Sequence, residues 1–284
     1  MDRLPTSREF RQACDASSDV RSEPAAGAER GGIASAATDI AHGRVDLWLI
    51  APSFQPCPAA VEAVLDDAGR SRASAHGDPG KAAWDKRKQA ALRHILGAYL
   101  RRAPADICFV HGPQGKPALV GCANLEFNIS HSRGYTVIAV TRNGPLGVDL
   151  EHIRARARDQ LALSILGPLA AARYLSLAPR QRSLAFSYAW SEREAFAKLL
   201  GCGIGDGWHR VRAAFMSSEL MTPHTRLATR QVGGCVFHYL DIVPAFALVL
   251  GSAQAISSIR ILRLCDLRHF LVLDEWAIPA HQPA

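Results

Sequence analysis

The tetrapeptide Arg142-Asn143-Gly144-Pro145 separates two short apolar runs, Tyr135 to Val140 and Leu146 to Leu150, and so limits what this stretch can become. Asn and Gly both tolerate positive φ, so the pair favours a tight reversal, and the spacing predicts a β-hairpin. Helical periods flank it. From Lys81 to Leu100, residues Ala91, Leu92, Ile95, Leu96 and Tyr99 fall on one stripe, while Lys86, Arg87, Lys88 and Arg93 fall mostly elsewhere. A helical stretch through Leu161, Ile165, Leu169 and Ala172 leads to Pro179, and a long helix is expected from about Ser183 to Leu200, stopped by Gly201 and Gly203. Val45 to Ile50 reads as a first strand, and Val211 to Phe215, Val236 to Ile242 and Phe246 to Leu250 as later ones. Strands and helices in each half predict an α+β fold of two similar α/β lobes in one chain, with antiparallel sheets and packed helices.

The expected divisions are an extension over 1–43, an N-terminal lobe over 44–153, a C-terminal lobe over 154–264 and a tail over 265–284. The first 43 residues are rich in Ala, Ser, Gly, Asp and Arg and poor in large apolar side chains, so burial there cannot offset the entropy of ordering; they are expected to be flexible and to pack against nothing. The seven cysteines are widely spaced with no CxxC pair, which removes zinc-ribbon and disulfide-framework readings. No apolar run is long enough for a secretory signal or a membrane span, so a cytoplasmic protein is expected. The formal net charge of +7 favours an acidic partner. Its basic residues are scattered and do not alternate with aromatics, which argues against nucleic acid.

Three short segments carry chemistry. In Gly147-Val148-Asp149-Leu150-Glu151, strand alternation sends Asp149 and Glu151 to one face and Val148 and Leu150 to the other. Paired carboxylates without His or Cys suit magnesium, although most such triplets are simply solvated acids. In Trp190 to Lys198, Trp190, Glu194 and Lys198 share a helix face at i, i+4 and i+8; such a Glu/Lys pair is ordinarily a weak surface ion pair unless it meets the two acids. Phe127-Asn128-Ile129-Ser130-His131-Ser132 ends in hydroxyl, imidazole and amide groups that could cradle a phosphate. Adjacent Ser and His cannot readily form a nucleophile and base pair, and no GxSxG elbow is present, so a hydrolase triad is not indicated.

The order FNISHS, then LGVDLE, then WSEREAFAKLLGCG resembles the motif set of Sfp-type 4′-phosphopantetheinyl transferases. The VDLWL strand, the ALRHILGAYL helix and Gly115-Lys116-Pro117 agree with it, and the resemblance covers about Val45 to Leu250. It implies a monomer that moves phosphopantetheine from coenzyme A to a serine of an acyl or peptidyl carrier protein, with the coenzyme between two lobes. It further implies Asp149, Glu151 and Glu194 as magnesium ligands, Glu194 as general base and Lys198 beside the pyrophosphate. Lys116, Ser130 and His131 would hold the coenzyme's phosphates, and Arg87, or else Lys86, its 3′-phosphate. The stretch Leu161 to Tyr174 would receive the carrier. The family commonly has Lys where Arg193 stands. A magnesium-dependent pyrophosphohydrolase would use the same carboxylates on water, and a non-catalytic homologue would only bind coenzyme A or a carrier.

Overall fold

A computed structural model describes residues 30–33, 40–122, 124–203, 207–223 and 225–278. In chain order it has β1 (Arg30–Gly32), β2 (Arg44–Ile50), α1 (Pro58–Glu62), α2 (Asp67–Ser74), α3 (Pro79–Leu100), β3 (Phe109–His111), β4 (Pro117–Leu119), β5 (Glu126–Ser132), β6 (Tyr135–Thr141) and β7 (Leu146–His152). There follow α4 (Asp159–Ile165), α5 (Pro168–Ser176), α6 (Pro179–Leu200), α7 (Trp208–Phe215), β8 (Leu227–Val232), β9 (Cys235–Leu240), β10 (Phe246–Ser252), β11 (Ser258–Leu264) and β12 (His269–Ala277). The mixed α+β class is as expected.

The strands form a six-stranded sheet, ordered β1-β12-β11-β2-β6-β5, a four-stranded sheet, ordered β7-β10-β9-β8, and the small β3-β4 pair. Helix, sheet, sheet and helix stack in four layers. Period-two alternation makes this possible, because β2 and β6 are apolar on both faces. Trp48, Ile50, Ile138 and Val140 pack under Leu92, Ile95 and Leu96 of α3. Val45, Leu47, Leu49, Val137 and Ala139 face Val148, Leu150, Leu248 and Leu250 of the other sheet. On the far side of that second sheet, Ala195 and Leu199 of α6 cover Phe237, Tyr239, Ala247 and Val249. Asp78 caps α3 by accepting from the Gly80 and Lys81 amides, with Pro79 in its first turn.

Several expectations are corrected. β6 and β7 do not pair: β6 lies between β2 and β5, and β7 pairs antiparallel with β10 in the other sheet. Of the turn residues only Gly144 has positive φ (87°), whereas a two-residue type I′ hairpin needs it at both central positions. The reversal therefore passes the chain from one sheet to the other. The division at 153 also moves, because β7 belongs to the second sheet while β11 and β12 return to the first. The expected tail over 265–284 includes β12, which pairs with both β11 and β1. The expected extension over 1–43 includes β1 and the buried Ile33 and Ile40; residues 1–29 and 34–39 lie outside those described. Val211 to Phe215 is helical, since Val211 and Phe215 stand one turn apart and are both buried on the same face of α7. Among the described residues no helix is long and apolar enough to cross a membrane.

Candidate active site

β7 and α6 meet because Gly147 has no side chain: a Cβ there would lie 2.0 Å from the Ala195 carbonyl oxygen and 2.5 Å from the Leu199 amide nitrogen. This close approach brings the odd-numbered face of β7 against the helix face bearing Glu194 and Lys198. Lys198 Nζ donates to Asp149 Oδ1 at 2.7 Å, to Ser130 Oγ at 3.0 Å and to the Val148 carbonyl at 3.1 Å. Asp149 is buried, and no exposed surface pair is involved.

The three expected carboxylates influence one another. Burial raises the Glu194 pKa to about 7, aided by Asp149 and Glu151 and opposed by Lys198. Burial also raises that of Glu151, again with Asp149 contributing and Arg154 opposing. Among the described residues, no three His, Cys, Asp or Glu side chains are gathered into a ready-made metal cage. Mutually repelling oxygen donors still fit a magnesium ion, which typically takes one or two carboxylates and completes its shell with water and substrate phosphate.

Glu194 and Lys198 line a cavity of about 240 Å³ with Lys116, Asn128, Ile129 and Gly203. Lys116 donates to the Leu146 carbonyl at 3.2 Å, and burial lowers its pKa. A second cavity of about 230 Å³ adjoins the first, sharing Gly115, Pro117 and Ile129. Its basic lining is Arg72 and Lys88, with Lys88 held by Asp85 at 3.0 Å. His131 is exposed by surface area, yet enough of its ring is withdrawn from water, with Lys88 and Lys198 near, to lower its pKa.

Neither Arg87 nor Lys86 lines these cavities. Arg87 bonds Gln55 and lies over the Trp84 ring, while Lys86 pairs with Glu62 at 2.6 Å. Each residue along a helix turns the side chain by about 100°, so Lys88 faces the cleft when Lys86 and Arg87 do not. Trp190 makes tilted ring contacts with Phe186 and Trp208. Arg193 is buried: its Nε donates to the Ile165 carbonyl and its Nη1 to the Ala189 carbonyl, and the guanidinium stacks on Phe215. Sequence reasoning missed Arg72, Lys88 and Asn128; the Asn128 signal was its place two residues before Ser130 on the same strand face.

Residues 145–241, which include β7 and α6, match the sequence model of the 4′-phosphopantetheinyl transferase superfamily. A Synechocystis protein named provisionally for the same activity is 31% identical over 172 residues, 58% of this chain and 68% of that one. The 4′-phosphopantetheinyl transferase AcpT of Escherichia coli K12 is 30% identical over 152 residues, 53% of this chain and 73% of the relative. The 4′-phosphopantetheinyl transferase HetI of Nostoc is 34% identical over 117 residues, 40% of this chain and 49% of the relative. With the acids of β7 and the Glu/Lys pair of α6 meeting inside the matched region, the chain belongs to the 4′-phosphopantetheinyl transferase superfamily.

Proposed function

We propose that the protein transfers the phosphopantetheine arm of coenzyme A to a serine hydroxyl of an acyl or peptidyl carrier protein, releasing adenosine 3′,5′-bisphosphate. The observation that carries this is Glu194, poised near neutrality by burial, one turn from Lys198 in the same cavity. Glu194 takes the serine proton as the serine oxygen bonds to the phosphorus bearing the pantetheine arm. The bond from that phosphorus to the bridging oxygen breaks, and Lys198 stabilises the charge left on the departing phosphate. Asp149, Glu151 and Glu194 are the residues that would hold magnesium, which when bound neutralises the pyrophosphate. Lys116 and His131 border the path of the phosphates, and Arg72 with Lys88 suits the 3′-phosphate better than Arg87 or Lys86, because only the former pair lines the cleft.

The carrier surface is assigned to α4 and α5, where Leu163 and Leu169 are exposed and α5 also exposes the basic Arg173. A basic chain suits an acidic carrier. The protein is read as a cytoplasmic monomer. Incubation with coenzyme A and an apo-carrier, followed by mass measurement, should show the carrier gaining one phosphopantetheine unit. Release of the bisphosphate without any carrier would instead support the pyrophosphohydrolase. Binding without either product would leave only a scaffold.

A further inference from the structure

The free edge of β7 is satisfied in an unusual way. One edge pairs with β10, and on the other the Val148, Leu150 and His152 amides donate to side chains of β5 rather than to its backbone. The acceptors are Asn128 Oδ1 at 2.9 Å, Ser130 Oγ at 3.1 Å and Ser132 Oγ at 3.2 Å. Alternate residues of Asn-Ile-Ser-His-Ser thus form a side-chain ladder between the two sheets.

The middle rung differs from its neighbours. A serine hydroxyl has one proton to donate and two lone pairs to accept with. Ser130 spends its proton on Asp149 Oδ1 at 2.8 Å and accepts from both the Leu150 amide and Lys198 Nζ. All three capacities are used inside the protein, and the residue is buried. Nothing is left for a phosphate oxygen. Both side-chain contacts on Asp149 fall on Oδ1, so the hydroxyl fixes the carboxylate's rotation as well as the lysine's position.

We infer that Ser130 is a positioning residue, which orients Asp149 and Lys198 for the transfer, and that its side chain is not a ligand of coenzyme A. This rests on the transferase reading. Ser132 provides the control, because its hydroxyl makes the same kind of ladder bond to β7 without touching Asp149 or Lys198.

The test measures turnover, KM for coenzyme A and melting temperature on the full chain and on Ser130→Ala, Ser132→Ala and Ser130→Thr, with one apo-carrier. Ser130→Ala should lower kcat by about 10- to 100-fold, the scale of misplaced catalytic groups, with KM changed by less than about two-fold. Ser132→Ala should lower the melting temperature comparably but keep kcat within about three-fold. Ser130→Thr, which keeps the oxygen, should retain most of the turnover. A raised KM at unchanged kcat in Ser130→Ala would mean that the hydroxyl touches coenzyme A and overturns the inference. Equal kcat losses in both alanine variants, or a threonine variant as inactive as the alanine one, would also overturn it. A full-length chain with no transfer at all would fail the functional reading instead, before any variant is compared.

Discussion

Gly147 of β7 and Ala195 of α6 are in direct backbone apposition, with no room between them for a single methyl group. Gly147→Ala should force strand and helix apart, and overpacking of this kind costs about 1–3 kcal/mol or more. Because the same approach brings Asp149 to Lys198, turnover should fall further than the melting temperature suggests. Chemical denaturation and steady-state kinetics on one variant check both parts.

Glu194 supplies a pH test with opposite signs for stability and activity. Its carboxyl is raised to about 7, so the folded protein holds a proton that the unfolded chain has lost. Stability from this group is present below the ordinary carboxylate range and is lost as pH rises through about 7. Glu194→Gln cannot ionise. Its melting temperature, relative to wild type, should therefore rise between about pH 5 and pH 8. Its turnover should drop by at least about 100-fold, and wild-type kcat/KM should climb through about pH 7. Parallel melting and rate profiles decide the matter, and normal turnover in the glutamine variant would remove Glu194 as base.

Arg193 occupies the position where the family commonly has lysine, and here its planar fork serves two carbonyls and an aromatic face at once. A lysine ammonium cannot reproduce that geometry. Arg193→Lys should lose about 1–3 kcal/mol of stability through weakened buried hydrogen bonds. KM for coenzyme A should stay unchanged, since the side chain does not line the cleft. Urea unfolding with kinetics on the surviving folded protein tests this.

Ile33 and Ile40 are buried within the N-terminal region that composition marks as an extension. A chain beginning at Arg44 should be less stable than one beginning at Arg30, by about 1.5–3 kcal/mol for each isoleucine removed from the core. Equal melting temperatures would show that β1 and these two contacts are dispensable.

The two long helices and the candidate site groups were legible in the sequence because both are written in short-range spacing. Glu194 and Lys198 one turn apart, and Asp149 opposite the apolar Val148 and Leu150, needed no knowledge of long-range pairing. The partners of each strand did. β6 is apolar on both faces, so its pattern could not show that β2 and β5 already occupied its edges and that β7 had to go elsewhere. Composition similarly hid Ile33 and Ile40, two apolar residues in a polar stretch. The hydroxyl of Ser130 is legible in the sequence, but the three bonds it makes inside the protein are not.

The return of β11 and β12 to the first sheet sets the order in which this chain can fold. β2 runs parallel to β11, and Asp46 of β2 is bonded by Arg260, 214 positions later. β2 can pair with β6 early, but nearly the whole polypeptide must leave the ribosome before its other edge meets β11 and Asp46 meets Arg260. Loop closure over such a span is slow, so the N-terminal half must wait with an open sheet edge exposed. A chaperone that shields that edge during synthesis would raise the yield of active protein more than one acting on the finished chain.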